Sequence, residues 1–323
     1  MIPITEPNFT TFDTQVKTLP PPDQLIFKES LGKRICILDV DTRPLDEIGD
    51  VFSTELPTWD LIRPQSAGFL SHYLYSIIHG YSYKFIRAPQ YSDRAPHWSK
   101  VIFTQEMLKR YDVVVMMDYD AMFPAPELPL EWMMNYWKID KDVIVAMAED
   151  PDMAWNKDLK GGINVNTGFI IAQAGELAQR LFKDWAECPA EIRYPGCAKW
   201  KTKIYHEQAA FSSHVRYDFL DGLSVEKNET ATKHIRVLPC MEANGIPEAF
   251  EQGCTGQLVR HYWGGKHLTR RQFGHNVMSA MTPLLAKAAY NSNSGIVEDW
   301  RAKILTGDEI IESASPPPGQ ENA

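Results

Sequence analysis

An apolar run that ends abruptly in two carboxylates constrains this chain more than any other feature. Residues 112–123 read Asp-Val-Val-Val-Met-Met-Asp-Tyr-Asp-Ala-Met-Phe. The run predicts a buried strand, and Asp118-x-Asp120 puts two carboxylates at its C-terminal edge. That edge is where open α/β sheets bind their ligands. Carboxylates at alternate positions of an extended segment point the same way, and together can hold a divalent cation that also grips phosphate. Taken alone the pair reads equally well as a solvated turn, because Asp is common in turns. Its place after the most apolar strand, with Ala-Met-Phe following instead of turn residues, favours a site.

The rest of the chain alternates strand and helix patterns around that run. Residues 34–39 predict the first strand, followed by a break at Thr42-Arg43-Pro44 and an irregular loop over 41–64. Phe69, Leu70, Tyr73, Leu74, Ile77 and Ile78 fall at helical spacing, and Gly80 ends that helix. Strands are expected at 83–87, 143–147 and 168–172, and helices at 97–110, 131–137, 177–185 and 206–216. The alternation predicts an α/β three-layer sandwich with a mostly parallel central sheet. The expected organisation is an extended lead-in over 1–33, one domain over 34–311 and a tail of disordered composition over 312–323.

Composition excludes several classes. A net charge of −9 argues against a nucleic-acid partner, since phosphate backbones are bound by basic surfaces. No segment approaches the ~20 apolar residues of a membrane span, and the first residues lack the basic and apolar regions of a signal peptide. The expectation is a cytoplasmic protein, or alternatively a Golgi-lumen domain lacking its membrane anchor. Of five cysteines, Cys36 lies in an apolar strand. Cys188/Cys197 and Cys240/Cys254 could close loop disulfides in an oxidising compartment, but free thiols are the expectation for a soluble intracellular chain.

Other constellations carry chemistry only in combination. His261-Tyr-Trp-Gly264-Gly265-Lys266 offers a metal ligand, glycines that let backbone approach phosphate, and a cation for a leaving diphosphate. Taken alone, it is a loop with a core histidine, and His267 competes for the role. Asn166-Thr167-Gly168 precedes a strand and offers an amide to sugar hydroxyls; in isolation it is a turn. His206-Glu207-Gln208 opens a helix, but Ala210 stands where a zinc-protease helix needs its second histidine. No GxGxxG, P-loop or G-x-S-x-G motif occurs.

Taken in order, these segments resemble glycosyltransferase family 34, retaining enzymes of GT-A fold that include galactosyl-, mannosyl- and xylosyltransferases. The resemblance is carried by His97-Trp-Ser-Lys100, Asp118-Tyr-Asp120, Asn166-Thr167-Gly168, Glu207-Gln208-x-Ala210 and His261-x-x-Gly264-x-Lys266, with His79-Gly80-Tyr81 in support, over roughly residues 34–270. It implies that Asp118, Asp120 and His261 hold Mn²⁺, with Mg²⁺ as a substitute. It implies donor contacts from Asp41, Lys100, Asp118, Asn166, Gly168, Gly264 and Lys266, and catalytic roles for Gln208, Glu207 and Lys266. The donor would be UDP-Gal, UDP-Glc, UDP-Xyl or GDP-Man, and the acceptor a hydroxyl of a glycan, protein or small molecule. The chain departs from the family at His206, where an acidic residue is usual, and at Asp39-Val-Asp41-Thr42, unlike the usual nucleotide loop. Rival readings are a sugar-nucleotide-binding protein with weak turnover and a nucleotide-sugar hydrolase or pyrophosphorylase. Acceptor contacts are expected from loops 41–64 and 187–204, which hold Trp59, Tyr194 and Trp200.

Overall fold

A computed structural model describes residues 1–11, 17–20, 22–23, 25–220 and 233–290. The tail expected over 312–323 lies outside the described residues.

Six strands form the central sheet: β3 (Ile35–Asp41), β4 (Ser82–Arg87), β5 (Val113–Met117), β7 (Val145–Glu149), β8 (Val165–Gln173) and β9 (Ile235–Leu238). Their order is β4-β3-β5-β8-β7-β9. Five run the same way and β8 alone is antiparallel to its neighbours. A mostly parallel sheet is covered on both faces, and alternate residues of each strand show it. Ile35, Ile37, Val113, Val115 and Met117 join one core with α3 (Leu130–Tyr136) and Tyr75 of α1 (Pro64–His79). Leu38, Val114, Met116, Val145 and Met147 join the other. That second core is built with α2 (Ser99–Met107), α4 (Glu176–Glu187) and α5 (His206–Ser213). The result is the expected three-layer sandwich.

The helix predicted from 69–78 begins at Pro64 and ends at Gly80 in the left-handed region, as its spacing required. Two features carried no sequence signal. One is β9, which supplies the last edge of the sheet. The other is a two-stranded antiparallel ribbon of β6 (Ala121–Met122) and β10 (Arg260–His261). Ribbon pairing of two residues each depends on what the chain brings together, not on local pattern.

The first residues are docked, not merely extended. β1 (Phe9–Thr11) pairs with β2 (Lys17–Leu19), and Phe9 and Leu19 enter the core beside Trp132. Asn135 Oδ1 accepts from the backbone N–H of Ile26 (2.9 Å) and Phe27 (2.8 Å). Residues 1–280 form one compact unit, and residues 281–290, the end of the helix Leu268–Tyr290, belong to a second.

Free thiols are the sequence expectation for the cysteines, and the structure corrects it at four of the five. Cys188–Cys197 and Cys240–Cys254 are disulfides, with Cα separations of 5.7 and 4.7 Å, and only Cys36 is free, buried in β3. The spacing alone could not show that short helical turns bring each pair within bridging distance. Among the described residues, no helix is long and apolar enough to cross a membrane.

Candidate active site

The C-terminal edge of the sheet opens into a cleft of about 770 Å³. Backbone geometry makes its floor. Gly68 of α1 lies against the Asp118–Asp120 turn so closely that a Cβ would come within 1.8 Å of Tyr119 O. Beneath this turn the buried His72 bridges Asp39 Oδ1 (2.8 Å) and Ala121 O (2.5 Å), and Tyr83 donates to Asp39 Oδ2 (2.6 Å). Burial pushes the His72 imidazole down, but the Asp39 carboxylate outweighs it and leaves the group above its ordinary range.

The β6–β10 ribbon pairs His261 with Ala121 and so seats the imidazole beside the acidic pair. Its Nε2 is 3.5 Å from Asp120 Oδ1 and 3.9 Å from Asp118 Oδ2. One donor atom from each of the three residues falls within 4.8 Å of the others. Nδ1 of the same ring is buried without a protein hydrogen-bond partner. Two carboxylates and an imidazole uncommitted to any other acceptor suit a divalent cation. His267 is exposed and stands outside this cluster, whereas His261 lies within it. Lys266 Nζ lies 3.6 Å from Asp120 Oδ2 and 5.4 Å from the Tyr119 ring, with its side chain 56% exposed.

β8 supplies the facing wall through a break in its ladder. Met147 pairs with Ile170 but Ala148 pairs with Asn166, so residues 167–169 are extra on β8. Such a bulge re-aims side chains at a strand's end. Asn166 Nδ2 donates to Asp150 Oδ1 (2.9 Å), and Gln208 Nε2 to Asp150 Oδ2 (2.6 Å). Thr167 N–H donates to Gln208 Oε1 (3.2 Å), and Thr167 Oγ1 to Glu207 Oε1 (2.9 Å). Gly168 has a packing role: a Cβ there would stand 2.1 Å from His261 Cε1, so the imidazole lies directly on this backbone.

Lys100 joins the two walls. Its buried ammonium lies 2.8 Å from Asp118 Oδ1 and 3.3 Å from Glu207 Oε1. Burial alone would lower its pKa, yet the two carboxylates hold it well above the ordinary lysine range. Glu207 is the mirror case: burial raises it, but Lys100 and His97 bring it below its usual value and keep it ionised. Tyr205 (φ 73°) and His206 (φ 33°) enter α5 in the left-handed region, the kind of backbone strain that concentrates at functional sites. His206 stacks on His97 at 4.8 Å between ring centroids.

Nearly every expected site residue therefore lines one cleft: Asp41, Lys100, Asp118, Asp120, Asn166, Gly168, Glu207, Gln208, His261 and Lys266. Gly264 is not among its walls. Both Asp41 carboxylate oxygens are engaged by Arg43, with Nε 2.9 Å from Oδ1 and Nη2 2.5 Å from Oδ2. Trp59, Tyr194 and Trp200 also stand outside the walls; Trp59 packs on Phe273, and Tyr194 and Trp200 are buried. Trp155, Trp263 and Tyr205 line the cleft instead. Asp150, the hub of the β8 wall, was missed. It directly follows β7 but stands three residues past the strand expected at 143–147, so the rule that marks Asp118 does not reach it.

The profile of the nucleotide-diphospho-sugar transferase family matches residues 93–264, more than half of the chain. The chain belongs to that family. It is thus a glycosyltransferase using nucleotide-diphospho-sugars, and the family-34 assignment fits. Among solved structures, a glycosyltransferase involved in glycosylation of the major capsid of PBCV-1 is 14% identical, with a TM-score of 0.51 over 74% of this chain and 98% of that one. Galactosyltransferase LgtC, solved with donor and acceptor sugar analogues, is 12% identical, with a TM-score of 0.41 over 74% of this chain and 95% of its own. The first likeness establishes the GT-A fold. No curated protein matches the sequence significantly.

Proposed function

We propose that this transferase is a retaining, Mn²⁺-dependent enzyme that moves a hexose or pentose from a UDP-sugar to a hydroxyl acceptor. The observation that carries the reading is the convergence of Asp118, Asp120 and His261 beside Lys266. It occurs in a cleft whose other wall is an amide and carboxylate network. The oxygen-rich donor set with one imidazole favours Mn²⁺, with Mg²⁺ as the substitute. Bound there, the cation supplies positive charge to the diphosphate oxygens as the glycosidic bond breaks.

The protein's own groups do the rest. Lys266, at the lip of the cleft, meets the leaving diphosphate with a second positive charge. Asn166 and Gln208, both held by Asp150, present fixed amides to the sugar. Glu207 is committed to Lys100 and Thr167, and Asp150 to three amides. Neither carboxylate is free to take the acceptor's proton. This supports attack from the face the diphosphate leaves, with the leaving phosphate accepting the proton and the anomeric configuration kept. Gln208 and Glu207 then act by orienting and by charge, and a covalent intermediate on Glu207 is disfavoured by its commitments. The two disulfides favour an oxidising compartment, hence the Golgi lumen over the cytoplasm.

The test is incubation with Mn²⁺ and UDP-Gal, UDP-Glc, UDP-Xyl or GDP-Man, with and without sugar acceptors, read by mass spectrometry. Glycosylated product should form with a UDP-sugar and vanish in EDTA. Full transfer in EDTA would end the metal reading, and equal donor cleavage without acceptor would make the protein a hydrolase.

A further inference from the structure

The Cys240–Cys254 disulfide closes a loop whose two arms lie against each other on the way to His261. The first arm is the single helical turn Cys240–Ala243, followed by Asn244 and Gly245. The return arm lies back along it: Gln257 N–H donates to Met241 O (3.1 Å), and Leu258 and Val259 N–H to Glu242 O (2.8 and 3.0 Å). Gly245 and Thr255 form an antiparallel bridge beside the disulfide. A Cβ at Gly245 would stand 2.1 Å from Cys254 O, so the arms touch backbone to backbone where the bond closes them. The return arm then runs straight into β10.

Two contacts carry this arrangement into the active site. Gly245 O accepts from His261 N–H at 2.9 Å. Asn244 donates to Glu149 O (3.1 Å) and Asp150 Oδ1 (3.4 Å), while its Oδ1 accepts from Trp263 Nε1 (3.2 Å). A metal-ligating histidine is ordinarily oriented by a hydrogen bond through its second nitrogen. Nδ1 of His261 makes no such bond to the protein. The orientation of the ring therefore falls on its backbone and on its packing against Gly168.

We infer that Cys240–Cys254 is a positioning element of the metal site, holding residues 254–262 in register on 240–245 so that His261 faces Asp118 and Asp120. Short irregular arms held by a few backbone hydrogen bonds open locally, and a cross-link removes most of the open conformations. The inference rests on the metal reading given above. The second disulfide, Cys188–Cys197, lies on the loop after α4 and serves as the internal control.

The experiment is a Mn²⁺ titration read from the EPR signal of the free ion. It compares wild type, Cys240→Ser/Cys254→Ser and Cys188→Ser/Cys197→Ser, each checked for fold by circular dichroism. The Cys240/Cys254 variant should bind Mn²⁺ on the order of 10-fold more weakly, while the control variant keeps wild-type affinity. At saturating Mn²⁺ the kcat of the first variant should recover, which general loss of packing would not allow. Unchanged affinity in the folded variant overturns the inference, as does an equal loss in both variants. A wild type that binds no Mn²⁺ overturns both this inference and the metal reading. Should the double variant not fold, the measurement moves to native Cys188→Ser/Cys197→Ser protein, reduced by a phosphine. The phosphine takes oxygen from water, and the disulfide accepts two electrons and two protons to become two thiols. After the thiols are alkylated, Mn²⁺ affinity should fall to the same extent; an unaltered affinity is again fatal.

Discussion

The two walls of the cleft are built on opposite plans. On the ribbon side, Asp118, Asp120 and His261 crowd together, and one imidazole nitrogen has no partner. On the β8 side, Asp150 accepts from Asn166, Gln208 and Asn244, and Gln208 uses both ends of its amide. On the proposed function one wall is completed by a cation; the other is already satisfied. Damage to the first should appear mainly in metal affinity and turnover, and damage to the second in stability together with sugar binding. Lys100, in contact with both, tests where the boundary lies.

The largest effect is expected at Asp120. Asp120→Asn should cut transfer by on the order of 10³-fold and abolish Mn²⁺ binding. Circular dichroism should show the fold kept, with only a modest fall in melting temperature from the lost contacts to His261 and Lys266. A variant that keeps its activity would show that the ribbon wall is not a metal site. Lys100→Met should act mainly on folding. It leaves Glu207 buried and unpaired beside Asp118, which costs about 3 kcal/mol. Urea denaturation would show a lower midpoint, and an unshifted midpoint would remove the claim that this lysine ties the walls together.

Gly168→Ala sharpens the contrast, because it changes the β8 wall but should be felt on the ribbon wall. The added methyl meets His261 at 2.1 Å, so the ring must move. Mn²⁺ affinity should drop about 10–100-fold with the fold kept, as calorimetric titration would reveal. Equal affinity would mean that His261 is not a ligand. The smallest effect is a pH dependence beneath the ribbon wall. The folded pKa of His72 is raised above its ordinary 6.5, so its pairing with Asp39 contributes fully below that pH and fades as pH rises through the folded value. The stability gap between wild type and His72→Gln should therefore narrow toward alkaline pH. A gap that widens with pH would reverse the assignment.

Much of this was legible beforehand because it is local. Val113–Met117, the Gly80 helix end and the apolar spacing of α4 follow from side-chain period and backbone permissiveness, which neighbouring residues set. The candidate residues were readable as types: carboxylates after a strand, a histidine before glycines, an amide opening a helix. Asp150 escapes the rule that marks Asp118, because β7 runs two residues past the expected strand to Glu149. His72 escapes as well, since a histidine on an apolar helix face gives no hint that a buried aspartate waits opposite.

The sequence by itself determined the layered α/β plan, the acidic edge and the set of groups able to handle a sugar diphosphate, because period, propensity and chemical type are properties of short segments. Only the tertiary structure decided how they act together. Two residues of β10 pairing with two of β6 placed His261 against Asp118 and Asp120, and a bulge in β8 turned Asn166 toward Asp150. Short turns brought two cysteine pairs within bonding distance. Each of these depends on where distant segments meet, which burial of the two cores fixes and no local pattern records.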